Sequence, residues 1–199
     1  MKRLFFLIVL VFLIPNNSHA LSYNSDPKIF ITELVEDSIK ILSDKSLPQT
    51  EKNKAIKEIA IANVDIKALG MYTLGDFRKT LEAEKLQQYQ ALFEKYFLKS
   101  LTSRLSDYSS KKFEVIGAEQ KNAKYTIVHS KIAENSSQPE IKIDWRVYTK
   151  DPLKPLIRDL IVEGLSLART QKEEFASILN SNNNDINVLF SKLEDFISN

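Results

Sequence analysis

Side chains equipped for chemistry are sparse in this 199-residue sequence. Cysteine is absent and His129 is the only histidine beyond His19, so no His/Cys cluster with metal-ligand spacing exists. A single histidine in a strand-like segment reads as structural or solvated. Gly164-Leu165-Ser166-Leu167-Ala168 echoes the nucleophile elbow, in which a serine between two glycines stands on a strand-to-helix turn. Here Ala168 takes the place of the second glycine, and Ser166 falls inside an apolar run that reads as strand. The glycines are scattered, so no glycine-rich loop cradles a phosphate. Asp144, Asp159 and Glu163 are acids a pocket could use, yet Asp144 falls on the polar side of an alternating segment. A carboxylate at a strand end reads first as the partner of a surface Lys or Arg. Abundant apolar surface with so little reactive equipment favours binding over catalysis. No catalytic residue, metal or cofactor is expected.

The start of the chain addresses it rather than folds it. Lys2 and Arg3 precede the uninterrupted apolar run Leu4 to Ile14, Pro15 breaks that run, and Ser18-His19-Ala20 offers small residues before a cut. This is the layout of a secretory signal peptide, expected to span residues 1–20 and to be cleaved after Ala20. The run is about half the ~20 residues a membrane span needs. Residues 21–199 then suit a single domain with a core of its own. The full sequence has 28 basic and 26 acidic residues, and without Lys2 and Arg3 the two balance. No basic excess remains for nucleic acid. An exported chain without cysteine has no disulfide framework, which fits a bacterial periplasm. Asn135-Ser136-Ser137 matches a glycosylation acceptor pattern and marks a loop.

Periodicity divides the rest into helices, strands and helices. Asp26-Pro27 opens a helix with Ile31, Leu34, Val35, Ile41 and Leu42 on one face, and Pro48 opens a second with Ile56, Ile59 and Ala60 inward. Asp65 caps a short third helix ending near Gly70. Thr80 is expected to cap the longest helix, Leu81 to Ser106, whose second half is apolar over more than half its circumference. Such a helix is deeply buried or lines a cavity. Phe113 to Ala118 and Tyr125 to Ile132 read as strands around the turn Gln120-Lys121-Asn122. Ile141, Ile143, Trp145 and Val147 then alternate with Lys142, Asp144 and Arg146, the mark of a sheet with one covered face. Leu156 to Leu167 reads as a fourth strand. Thr170 with Glu173 forms a capping box before a helix with Phe175, Ile178 and Leu179 inward, and Ile186 to Ile197 is the last helix. The expected class is α+β: a helical layer on a curved four-stranded antiparallel meander.

The strongest motif is Ile157-Arg158-Asp159-Leu160-Ile161-Val162-Glu163-Gly164-Leu165-Ser166-Leu167, followed by Phe175 and Ile178. With Asp65, Leu69-Gly70, Phe93, Phe97, Leu105, Tyr108 and the strand Ile141 to Val147, it resembles the MlaC family of periplasmic phospholipid carriers. These are also described as toluene-tolerance auxiliary proteins. The likeness runs from about Asp26 to Leu193. It departs at Gln171-Lys172, where an aromatic-Arg pair is usual, and near Leu101 and Pro155, where aromatics are usual. The resemblance implies a deep apolar cavity for phospholipid acyl chains. It also implies transfer between an outer-membrane lipoprotein–porin complex and the MCE-domain protein of an inner-membrane ABC transporter, serving outer-membrane lipid asymmetry. Cargo phospholipid would be the only ligand.

On that reading Phe93, Tyr96, Phe97 and Leu101 of the long helix are the expected lining, with Tyr125, Ile127, Ile143, Trp145, Val147, Leu160 and Val162 of the strands. Lys111, Lys112, Lys150, Lys154 and Arg158, near strand ends, are the expected docking cations. Each buried methylene contributes about 0.8 kcal/mol, so exposing roughly thirty chain carbons costs on the order of 24 kcal/mol. A carrier must therefore offer a nearly equivalent dry environment. Two alternatives stand beside it. One is an isomerase or hydrolase on a cone-shaped α+β fold, with Asp159 as the carboxylate base and Tyr72 or Tyr125 as the polar donor. The other is a structural periplasmic interaction protein.

Overall fold

The computed structural model describes residues 23–105, 112–133 and 139–199. Residues 1–20, Tyr108, Lys111 and Asn135-Ser136-Ser137 lie outside the described residues. The chain is α+β, with helices α1 (Pro27–Ser43), α2 (Gln49–Asn63), α3 (Ile66–Thr73) and α4 (Ala83–Leu105) before the sheet. A 3-10 turn, Gly75–Lys79, joins α3 to α4. Strands β1 (Phe113–Asn122), β2 (Tyr125–Ile132), β3 (Ile141–Tyr148), β4 (Leu156–Val162) and β5 (Leu165–Ser166) follow, then α5 (Leu167–Asn180) and α6 (Ile186–Ser198). The sheet is an antiparallel meander in the order β1-β2-β3-β4-β5.

The strand expected from Leu156 to Leu167 is folded in two, which raises the count from four strands to five. Glu163 and Gly164 have φ of 49° and 81°, and Val162 pairs with Leu165 across them. Two consecutive left-handed residues between paired strands make the tight turn whose twist suits a hairpin. An apolar run hides this turn because only Gly164 marks it. The reversal also moves the helix start. Ser166, not Thr170, caps α5, accepting the Arg169 N–H at 3.1 Å, while Thr170 donates back to the Ser166 carbonyl. Thr80 likewise closes the 3-10 turn by donating to the Phe77 carbonyl, and α4 begins with the Leu86 N–H on Glu82. The β1–β2 turn lies at Ala123-Lys124, because Asn122 pairs with Tyr125 and holds the Lys124 N–H.

Two apolar cores form. Phe30, Ile31 and Leu34 of α1 and Ile56 and Ile59 of α2 pack on Val128, Val147 and Ile157 of the sheet. Leu69 of α3, Tyr89 and Phe93 of α4, Phe175 of α5 and Leu189 and Phe190 of α6 make the other. Val64 and Leu101 pack against both. In the helical core Tyr89 is fully buried and donates to Thr73 Oγ1 at 2.7 Å, since Thr73 donates its own hydroxyl hydrogen to the Gly70 carbonyl. Burial pushes the Tyr89 hydroxyl well above its ordinary range.

Gly70 sets the approach of α3 to α4. A Cβ built on it would stand 2.9 Å from Phe93 Cδ1 and 3.2 Å from Cγ. Gly70→Ala is expected to lose about 1–3 kcal/mol to overpacking against about 1 kcal/mol of helix propensity gained. Urea unfolding should therefore show a net destabilisation near 1 kcal/mol. In a Phe93→Leu background that penalty should disappear; a penalty equal in both backgrounds rules out the ring as its cause.

Candidate functional site

A cleft of about 810 Å³ opens between α3, the 3-10 turn and the sheet face turned away from α1. Its volume is in the range of small-ligand sites. The face follows from register: His129, Ile127 and Tyr125 of β2 pair with Asp144, Arg146 and Tyr148 of β3, and all point opposite to Val128, Trp145 and Val147. Ala68, Leu69 and Met71 of α3, Ile127, Ile161 and Ala168 make an apolar floor and walls. Arg78, Lys121, Arg146, Arg158, Tyr72 and Tyr125 stand around it, with the His129–Asp144 pair at one end. A smaller space of about 340 Å³ adjoins the same pair beside Ile116 and Gly164.

β4 positions the polar wall. Arg146 pairs with Asp159 and Val147 with Ile157, so Arg158 is an extra residue in the ladder, a β-bulge. The bulge lets Arg158 and Asp159 face the same side. Arg158 Nε and Nη2 donate to Asp65 Oδ2 at 2.9 and 2.7 Å, Nη1 donates to the Tyr125 hydroxyl at 3.0 Å, and the guanidinium lies 3.5 Å over the Tyr148 ring. Asp65 also caps α3 through the Ala68 N–H. Asp159, 3% exposed, accepts the Ser166 hydroxyl at 2.7 Å and the Ala168 N–H at 3.0 Å. Arg146 Nη1 stands 3.6 Å from it, beyond hydrogen-bond length. His129 Nδ1 is 2.7 Å from Asp144, and Lys121 is paired with Glu119 at 2.6 Å.

These partners bear on the enzyme alternatives. Ser166 does stand at a strand-to-helix junction, but its hydroxyl donates to Asp159 and receives Arg169 N–H, and His129 faces Asp144. Both carboxylate oxygens of Asp159 hold the start of α5 in place. Tyr125 is held by Arg158. Among the described residues no group of three or more His, Cys, Asp or Glu side chains is placed to hold a metal, and no helix is long and apolar enough to cross a membrane.

Of the expected lining, Tyr125 and Ile127 border this cleft. Phe93, Tyr96, Phe97 and Leu101 belong to the helical core and its margin. Val147 is fully buried under α1, and Trp145, which donates to Ser130 Oγ, is half-buried beside it. Ile143, Leu160 and Val162 are half-buried on that same face, where Trp145 pairs with Leu160 and Ile143 with Val162. Of the expected docking cations, Lys112, Lys150 and Lys154 are exposed, whereas Arg158 is committed to Asp65, Tyr125 and Tyr148. Leu69, Met71, Ile161 and Arg78 of the cleft are residues that periodicity did not single out, and it marked Arg146 only as part of the polar side of β3. The departure Gln171-Lys172 is filled by polar contacts, with Gln171 accepting the Tyr96 hydroxyl and Lys172 over the Tyr72 ring.

Sheet, helical half and amphipathic cleft together define an α+β protein with an open, apolar-floored cleft between α3 and the sheet. The chain belongs to the MlaC family, whose description is "MlaC protein" and whose pattern it matches over residues 32–195. A solved structure with the same fold is that of the phospholipid-binding protein from Ralstonia solanacearum in complex with a phospholipid. It is 19% identical, with a TM-score of 0.71, over 84% of this chain and 94% of that one. A comparison with curated proteins finds no match.

Asp159→Ala removes the acceptor of Ser166 and Ala168 and the carboxylate facing Arg146 at once. Hydrogen bonds to charged groups contribute about 1.5–3 kcal/mol, so a loss of about 2–3 kcal/mol is expected. Ser166→Ala should lose about 1 kcal/mol, the worth of a helix cap. Thermal unfolding measures both, and an Asp159→Ala protein as stable as the parent contradicts the assignment of its carboxylate to α5.

Proposed function

We propose that this protein is a periplasmic phospholipid carrier, exported by its residues 1–20, which takes lipid by its tails and passes it between the two membranes. One observation carries the reading: a member of the MlaC family presents a cleft with an apolar floor inside a cationic rim. Acyl chains lie against Leu69, Met71, Ile127, Ile161 and Ala168, and the headgroup stays at the open edge near Tyr125. Each methylene covered contributes about 0.8 kcal/mol, which a bilayer supplies equally well. Release to a partner membrane complex is then close to balanced and needs no hydrolysis by the carrier. The partners are an outer-membrane lipoprotein–porin complex and the MCE-domain protein of an inner-membrane ABC transporter. Lys112, Lys150 and Lys154 are the docking cations, acting together because single exposed charges are weak.

Native mass spectrometry of protein purified from a membrane-bearing host is expected to show bound phospholipid. Protein that emerges lipid-free and takes up none from vesicles refutes the carrier reading. Ile161→Glu, a half-buried change in the cleft wall, should reduce loading at least tenfold with the fold retained by circular dichroism. Lys150→Glu with Lys154→Glu should leave loading intact and slow transfer of labelled lipid to the isolated MCE domain.

A further inference from the structure

The cations of the cleft differ in what already holds them. Arg158 is bound on both edges and one face, by Asp65, Tyr125 and Tyr148. Lys121 has Glu119. Arg78 donates to the Gly75 carbonyl. Arg146 has one carboxylate neighbour at 3.6 Å, and the oxygens of that Asp159 already receive Ser166 and Ala168. The Arg146 side chain is 42% exposed, whereas that of Asp159 is 2% exposed, so Arg146 meets solvent in the cleft while its neighbour does not. The other acid of the cleft, Asp144, is taken by His129.

Register places this fork over apolar surface. Arg146 pairs directly with Ile127 on β2, while Ile161 of β4 pairs with Asp144, two residues along β3. Directly paired residues bring their side chains within about 5 Å, and diagonal ones within about 8 Å. An anion held by Arg146 therefore sits beside two isoleucines. A ligand that satisfies both carries a phosphate next to hydrocarbon, and a planar guanidinium matches phosphate oxygens bidentately.

We propose that Arg146 recognises the phosphodiester of the cargo, and that the cleft thereby selects an anionic phospholipid over an uncharged diacyl lipid. This rests on the carrier reading above. The test uses the exported protein with phosphatidylglycerol and diacylglycerol of identical chains, offered at equal fraction in vesicles, with loading read by native mass spectrometry. The parent is expected to load phosphatidylglycerol over diacylglycerol by roughly tenfold to a hundredfold, the effect of a charge-assisted hydrogen bond or two. Arg146→Gln should bring the ratio close to unity by lowering phosphatidylglycerol loading, and Lys54→Gln, on the exposed side of α2, should leave the ratio as in the parent. A ratio unchanged in Arg146→Gln overturns the proposal. If that variant does not fold, Arg146→Lys keeps the charge and loses the fork; a several-fold lower ratio is expected and an unchanged one overturns it. Competition by millimolar inorganic phosphate against phosphatidylglycerol would assign the residue to free anions and overturn the lipid assignment. Failure of every protein to load either lipid would refute the carrier reading itself, a result distinct from loading without selection.

Discussion

One extra residue in β4 organises the molecule. In a regular strand neighbouring side chains point to opposite faces, so Arg158 beside Asp159 would drive its guanidinium into the packing of Val128 and Val147 under α1. The bulge turns both toward the helical half. Arg158 then reaches Asp65, which caps α3, and Asp159 reaches Ser166 and Ala168 at the start of α5. A single strand thus fixes the N-termini of two helices, where unsatisfied N–H groups favour carboxylates. Because both charged residues gain opposite charges or hydrogen bonds, neither is left buried and unpaired, which would be strongly destabilising.

The two cores follow from this arrangement. Each is closed by its own fully buried residues, Ile31, Val128 and Val147 on the sheet side and Tyr89 and Leu189 on the helical side. Neither relies on the cleft being filled. That separation suits the proposed carrier role, in which the protein is folded both empty and loaded, since a ligand needed to complete a core could not leave without unfolding it. Val64 and Leu101 are the shared packing, and the backbone bridge from Asp65 N–H to the Ile157 carbonyl adds a polar tie at the same junction.

Periodicity made most elements readable in the sequence. The alternation at Ile141 to Val147 and the stripe at Ile186 to Ile197 are unambiguous because each exposes one face. What stayed hidden were features with no periodic signature. The Glu163-Gly164 reversal sits inside an apolar run, and Thr170 with Glu173 matches a capping box that the earlier start of α5 makes redundant. The bulge shifts register without altering composition. The site was harder still. Alternation identifies the most apolar face of a sheet, and that is the face packed against α1. The cleft lies on the other face, the one Lys142, Asp144 and Arg146 mark as polar, where apolar residues such as Ile127 and Ile161 interrupt the pattern. Leu69 and Met71 lie on an eight-residue helix, too short for a stripe to stand out.

An amphipathic cleft suits exchange better than a wholly apolar pocket would. If the cleft carries lipid as proposed, contact with hydrocarbon lowers the free energy of a tail by about as much in the protein as in a membrane, so tails alone cannot tell the protein from the bilayer. Charges at the open rim act differently. Those already neutralised, Arg158 by Asp65 and Lys121 by Glu119, shape the wall without attracting cargo strongly, and ions at about 8–10 Å screening length weaken them further. Arg146, whose one carboxylate neighbour stands beyond hydrogen-bond length, would act only on a ligand whose tail has already placed its anion there. On the proposed reading selection is separated from retention: the hydrocarbon surface would hold the cargo and let it go, and the cation would decide which cargo is held.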